Sequence, residues 1–288
     1  MLDLKDTHIE YVCTGHCCHD VIESGYALGG TAAYSASVAK NLGAKAKIIT
    51  AYGSDFRFEQ DIVDRGIELI NVGSEATTVF ENIYGHGPRQ QVIHSRADLL
   101  DTKKVGPYLK KTDILHLCPI ADEIDYGLIH QVDAGLIAGT IQGSMRCWDN
   151  QGNVYPCNMK WDSLRGIDLV VISDEDVSGL DCAFNEIINI VPLAIVTMGK
   201  SGAKIFKKTT SQFLPSFPIH QKRETGAGDT FATAFFIHYY KNRNPFEACL
   251  YAHVICSLVL EREDKALFPS PDEIENRIEE YHHFLKKN

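Results

Sequence analysis

Residues 225 to 231 read Thr-Gly-Ala-Gly-Asp-Thr-Phe, and an apolar run, 231–240, follows at once. Gly226 and Gly228 flank a small residue, Ala227, where that run predicts the start of a helix. Such a turn leaves several backbone N–H groups without intrahelical partners and aims them at one point, which suits an anion. Asp229 then sets a carboxylate in the first helical turn, beside those donors. Phosphoryl transfer to a hydroxyl needs this pairing: the donors hold the transferring phosphate, and the base takes the hydroxyl proton.

Other stretches carry weaker signals. Gly29-Gly30 precedes the amphipathic pattern Thr31–Leu42 and reads as a tight strand-to-helix turn. Asp20 follows the first apolar run by a few residues, a place where an acid commonly caps a turn. Ala194-Ile-Val-Thr-Met-Gly-Lys-Ser satisfies a loose phosphate-binding-loop pattern around Lys200, but Leu193–Thr197 reads as a buried strand and residues 202–206 as another. A true loop of that kind leads into a helix. Strand, turn, strand is the better reading, with Thr197 and Gly199 at the carboxyl end of a sheet, where nucleotides bind in open α/β folds. Cys13, His16, Cys17, Cys18 and His19 resemble a metal cluster in composition, yet they lack a second pair at finger spacing. They read as a strand end and loop.

The elements that must position these residues alternate. Short β-branched runs recur at Ile9–Thr14, Lys47–Ala51, Thr77–Tyr84, Ile114–Leu117, Leu136–Ile141, Leu169–Ile172 and Leu193–Thr197. Helical patterns lie between them at Thr31–Leu42, Asp55–Arg65, Ile124–Val132 and Asp181–Ile190. Alternation of this kind predicts an α/β fold with a mostly parallel sheet covered by helices. The last third is helical: Phe231–Tyr240, Pro245–Glu261 and Pro271–Lys287. Thr77–Tyr84 and Gln90–His94 surround Gly85-His-Gly-Pro and predict a β-hairpin without a crossover helix, hence a small β lid. Residues 20–28 and 77–96 supply that lid, and 1–288 reads as one domain.

Composition narrows the class. The 288 residues are 44% hydrophobic and 23% charged, and the net charge is −10, which argues against a nucleic-acid partner. No apolar run reaches the roughly 18 residues of a membrane span. Met1–Glu10 is polar, so the nine cysteines read as reduced thiols of a cytoplasmic protein.

Taken in order, Gly15…Asp20, Gly29-Gly30, Gly53-Ser-Asp55, Thr197-Met-Gly199 and Thr225-Gly-Ala-Gly-Asp229 resemble the ribokinase-like, or PfkB, family of carbohydrate kinases along nearly the whole chain. Within it, Tyr34 and Ile141-Gln-Gly-Ser-Met-Arg146 are similar to the branch containing plant myo-inositol kinase. The resemblance implies a three-layer α/β/α sandwich with a β lid, an ATP and Mg²⁺ requirement, and a sugar or polyol as the small-molecule acceptor. It implies Asp229 as base, with the amides of Gly226, Ala227 and Gly228 around the transferring phosphate. Asp20, Gly29, Gly30, Tyr34 and Arg146 fall on the acceptor side. Thr197, Gly199, Gly202, Thr225 and His253 fall on the nucleotide side, His253 standing where an Asn often lies near adenine. Asp176 or Glu175 falls where an acid organises Mg²⁺ through water.

The chain departs from the family pattern at Arg223, where an acid often helps bind a monovalent cation; a fixed positive charge there predicts activity largely independent of K⁺. Tyr34 replaces an Asn that touches ribose, which favours a cyclic polyol or another ring. Arg89 and Arg96 flank the lid strand and read equally as contacts to a polar acceptor and as solvated charges of the lid. An exposed lid edge offers a surface for a homodimer. Two readings compete: a nucleoside kinase of the same fold, and a sugar-sensing homologue without phosphotransfer.

Overall fold

The computed structural model describes residues 8–83, 90–109, 111–178, 180, 183–208, 210–222, 226–263 and 268–287. The chain begins with β1 (Glu10–Thr14), β2 (Cys18–Ile22), β3 (Gly25–Gly29), α1 (Thr31–Asn41), β4 (Lys45–Thr50), α2 (Glu59–Asp64), β5 (Glu68–Asn71), β6 (Thr78–Ile83) and β7 (Gln90–Ser95). It continues through α3 (Thr102–Val105), β8 (Thr112–Leu117), β9 (Ala134–Gly139), β10 (Arg146–Trp148), β11 (Val154–Pro156), β12 (Leu169–Ser173), α4 (Asp174–Val177) and α5 (Ala183–Ile190). The last part holds β13 (Leu193–Thr197), β14 (Gly202–Lys207), β15 (Thr210–Pro215), α6 (Ala227–Asn242), α7 (Pro245–Leu260) and α8 (Pro271–Lys287).

The main sheet has the order β15-β14-β13-β12-β9-β8-β1-β4-β5. From β13 to β5 every neighbouring pair is parallel, while β14 and β15 are antiparallel additions. Period-two alternation sorts the strands onto two cores. Tyr11 and Cys13 face the layer of α1, α6 and α7, whereas Val12 faces the opposite core with Leu115, Val170 and Ile187. Near-continuous burial of β8, β12 and β13 follows from helices on both faces. The strand order turns back between β1 and β8, so the loops leaving their carboxyl ends diverge and open a crevice there.

The second sheet, β3-β2-β6-β7, grows out of that crevice. Its strand β2 starts four residues after β1 ends. The lid segment expected over residues 20–28 forms two antiparallel strands, joined by a turn at Glu23 and Ser24. Asp20 therefore lies within a strand, opposite Ala27, and not in a cap or turn. The turn of the predicted hairpin, 84–89, with Gly85-His-Gly-Pro and Arg89, lies outside the described residues.

Three boundaries moved. The helix expected over Asp55–Arg65 begins at Glu59, because Asp55 is bound by Thr77 Oγ1 at 2.6 Å and the aromatic rings of Phe56 and Phe58 pack around His19. The pattern Ile124–Val132 forms a 3₁₀ turn, Tyr126–His130, capped by the Asp125 carboxylate. The strand expected to reach Ile141 stops at Gly139, and residues 141–145 turn back towards the crevice. The thiol expectation also fails at one pair: Cys147 and Cys157 form a disulfide across the β10–β11 hairpin. Antiparallel pairing brings these two side chains close, a proximity their separation of 10 residues did not reveal.

Candidate active site

The acceptor side is built by β2, β3 and the start of α1. Asp20 and Gly29 lie on neighbouring strands, and a Cβ placed on Gly29 would sit 2.5 Å from Asp20 Oδ2. Only glycine leaves room for that carboxylate to lie flat across β3. Cys18, buried at 2% exposure, directs its thiol to Asp20 Oδ1 at 3.8 Å. Gly30, at φ 98°, caps α1 and brings Thr31 and Tyr34 to the same crevice.

The phosphate side is the start of α6. Gly226 is its N-cap in the left-handed region, at φ 84°, and no side chain caps the helix. The first N–H groups, at Ala227, Gly228 and Asp229, therefore face outward with the positive end of the helix dipole. A Cβ at Gly228 would meet nothing within 4 Å, so packing does not explain that glycine; open space lies in front of it. A Cβ at Gly226 would lie 3.6 Å from the Tyr34 ring, which thereby borders both halves of the crevice. Thr225 and Arg223 lie outside the described residues.

Asp229 retains some contact with solvent, yet the protein closes around its carboxyl. Desolvation pushes its pKa up to about 7, opposed by a hydrogen bond from Thr31 and by the Arg146 charge, and assisted by the Asp176 charge. Tyr34 is pushed to about 12, first by burial and then by the charges of Asp20 and Asp229. Tyr34 thus feels both the Asp20 and the Asp229 charge, and Asp229 feels Arg146.

Arg146 enters from the turn after β9. It donates to Ile120 O at 3.0 Å and to Gln142 Oε1 at 2.7 Å, and its guanidinium lies 5.8 Å from the Phe80 ring centre. Gln142 donates in turn to Asp176 Oδ1. Asp176 Oδ2 accepts from Ser173 N–H at 2.8 Å in a capping box that starts α4. Both Asp176 oxygens are thus engaged by protein, which suits a hydrated ion met through water and not direct coordination. Glu175, one residue away, is exposed. Burial raises the Asp176 pKa above its ordinary value.

The residues assigned to the nucleotide side divide. Thr197 ends β13 and donates to Ile172 O at 3.3 Å. Gly199 begins a 3₁₀ turn with the exposed Lys200, so the false phosphate loop is a β13–β14 turn without a helix. Gly202 is buried in the hairpin, where a Cβ would meet Leu214 O at 2.2 Å. His253 is not at the open edge. It is 7% exposed, and its Nδ1 lies 3.0 Å from the Tyr281 hydroxyl. That hydroxyl donates its single proton to Pro215 O, so it accepts from His253, and burial lowers the imidazole pKa to about 4. Tyr281 of α8, which packs on α7, covers this histidine. Substituting His253 with Phe is expected to lower the melting temperature by roughly 1–2 kcal/mol equivalent of stability while leaving the donor KM within twofold. A thermal melt and a donor titration check both halves.

Several supporting residues carried no sequence signal. Glu123 is fully buried, and its carboxylate accepts N–H bonds from His16 at 2.9 Å, from Ile120 at 2.9 Å and from Ala121 at 2.7 Å. It ties the loop after β1 to the loop after β8. His16 continues the tie, with Nδ1 at 2.9 Å from Thr78 Oγ1 and Nε2 at 2.9 Å from Asp98 O. Arg96, read as an acceptor contact, instead donates to Ala121 O and Asp122 O in the same loop. The sulfur and imidazole groups that gather are Cys13, His116 and Cys118, not the 13–19 cluster. Both His116 nitrogens already meet hydroxyls, Tyr11 at 3.0 Å and Thr140 at 2.9 Å. Among the described residues no helix is long and apolar enough to cross a membrane.

Comparison with known proteins bears on this geometry. The family model described as pfkB family carbohydrate kinase matches residues 164–272. Inositol 3-kinase from Arabidopsis thaliana is 24% identical over 277 residues, covering 86% of this chain and 72% of the relative. A pyrophosphate-dependent kinase of the ribokinase family, solved with a pyrophosphate analogue and myo-inositol, superposes with a TM-score of 0.73 at 21% identity, over 92% of this chain and 99% of the other. Ribokinase from Thermotoga maritima superposes with a TM-score of 0.73 at 16% identity, over 94% and 99%. The ribokinase-type fold, the match of residues 164–272 to the pfkB family model and the inositol-kinase likeness agree: this chain resembles the carbohydrate and polyol kinases of that family.

Proposed function

We propose that the protein transfers a terminal phosphoryl group to one hydroxyl of a cyclic polyol of the inositol type, with Asp229 as general base. The observation that carries this reading is the carboxyl of Asp229, desolvated in the first turn of α6 beside uncapped amides, bound by Thr31 and within the influence of Arg146, with Tyr34 standing between it and Asp20. A base with its pKa raised to about 7 is half ionised at neutral pH and matched to accept an alcohol proton in the transition state. Asp20 accepts hydrogen bonds from neighbouring hydroxyls, and so leaves one oxygen aimed at the phosphorus. Tyr34 offers a flat face to a ring. The α6 amides and Arg146 stabilise charge on the equatorial phosphate oxygens. The four-stranded sheet acts as the lid that excludes water, within a single catalytic domain.

ATP is the donor in ribokinase-type kinases such as the Arabidopsis ribokinase solved with ribose and ATP. Other neighbours are pyrophosphate-dependent, so both donors belong in the test. Mg²⁺, when bound, would neutralise donor phosphates; Glu175 would hold it through water, with Asp176 committed to the cap.

The deciding experiment incubates the purified protein with Mg²⁺ and either ATP or pyrophosphate against myo-inositol, ribose, fructose and adenosine. Phosphorylated product is read by ³¹P NMR. The expected outcome is acceptor-dependent product with myo-inositol exceeding the others by at least about tenfold in kcat/KM. Preference for adenosine would replace the proposal with a nucleoside kinase, and no acceptor-dependent product with either donor would overturn it.

A further inference from the structure

We propose that Gln142 is a positioning residue, whose amide bridges Asp176 and Arg146 and so holds the Arg146 guanidinium towards Asp229. The inference rests on the reading of Asp229 as base.

The amide orientation is dictated by its partners. A guanidinium only donates and a carboxylate only accepts, so Gln142 must present Oε1 to Arg146 Nη2, at 2.7 Å, and its NH₂ to Asp176 Oδ1. An amide is a neutral group that does both at once. Behind it, Asp176 is immobilised by the Ser173 N–H at the end of β12, a strand paired on both sides. Arg146 is braced a second time by Ile120 O. The turn carrying Gln142 is itself wedged, since a Cβ at Gly143 would meet Pro119 at 2.2 Å. A chain of contacts therefore runs from the sheet through Asp176 and Gln142 to Arg146.

The amide also keeps two opposite charges apart. Without it, Arg146 and Asp176 have no spacer and would pair directly, which withdraws the cation from the base. The groups acting on Asp229 from the elements around it are Thr31 of α1, Arg146 of β10, Asp176 of α4, Tyr34 of α1, Tyr11 of β1 and Cys118 after β8. The two tyrosines and the cysteine are held above their ordinary pKa values and are uncharged near neutrality. Arg146 is the cation in that set, and Asp176 opposes it.

The test is the pH dependence of kcat/KM, with the donor and acceptor that the panel selects, for wild type, Gln142→Met and Gln142→Glu. Gln142→Met removes both bonds of the bridge, and Gln142→Glu, which keeps size and shape should the first not fold, loses the donor to Asp176 and adds a negative charge that holds Arg146. The acidic limb is expected to move up by about one pH unit in both, with activity several-fold low at pH 7 and recovering above pH 8.5. A residue that only supports packing would lower the rate equally at every pH. An unmoved limb in a folded variant overturns the inference. Asp229→Asn, assayed alongside, separates the two readings: if it retains turnover, the base assignment fails; if it is inactive while the Gln142 limbs stay in place, only the relay fails.

Discussion

Asp229→Asn is expected to reduce kcat by roughly 10²–10⁴-fold with little change in acceptor KM. The asparagine keeps the size, the helix position and one hydrogen-bond acceptor, so the loss reports proton acceptance alone. In the wild type the same group predicts an acidic limb in kcat/KM near pH 7, because the active form is the ionised carboxylate. Stability should move the opposite way. Burial raises the folded pKa to about 7 from an ordinary value of 3.8. Below the unfolded value both states are protonated and the carboxyl costs nothing. As pH rises from about 4 to about 7 the unfolded chain ionises first, and the folded state loses relative stability until its own carboxyl ionises. The asparagine variant should therefore match wild type at pH 4 and exceed it above pH 7, on the order of 2–4 kcal/mol. Melting curves at the two pH values, beside the rate assay, check both signs. An equally active variant, or one less stable at pH 8, would contradict the account.

The second large effect is expected at a residue with no reactive group. Gly29→Ala should lower kcat/KM for the acceptor by about 10²-fold or more, with the donor KM nearly unchanged. A methyl there would sit 2.5 Å from Asp20 Oδ2 and 2.6 Å from its Cγ, so the carboxylate must rotate away. Asp20 is only partly buried, so the fold should survive the change. What is lost is the aim of the carboxylate, and misplacement by about 1 Å is enough to cost two orders of magnitude. Asp20→Asn, which keeps position and removes charge, should show a smaller loss. A crystal structure or acceptor titration in which Gly29→Ala binds like wild type would remove Asp20 from the acceptor site.

Much of the architecture was legible because periodicity reports burial. Strands buried on both faces read as short β-branched runs, and β1, β8, β12 and β13 form within a residue or two of where those runs predict them. Helices α7 and α8 begin at Pro245 and Pro271, each a proline suited to a first turn. Boundaries failed where a tertiary contact outcompeted local pattern, as with Asp55, drawn from the start of α2 by Thr77. Chemistry was legible where backbone conformation demanded glycine, since such demands leave a residue type at a fixed spacing. It was not legible where a common residue acts through a partner far away in sequence. Glu123 is one acid among many until His16, 107 residues distant, gives it an N–H. His253 reads as a helix residue near a nucleotide until Tyr281 covers it.

The sequence by itself therefore determined the α/β class, the uncapped glycine turn at the start of α6 and the carboxylate that follows it, because these depend on local sterics and on the period of side chains along the chain. Tertiary structure alone decided that Asp229 would be desolvated, that Asp176 would be spent on a cap and an amide, and that Cys147 would find Cys157. Those outcomes depend on which segments meet, and the energy of a buried charge is set by its neighbours in space, not by its neighbours in sequence.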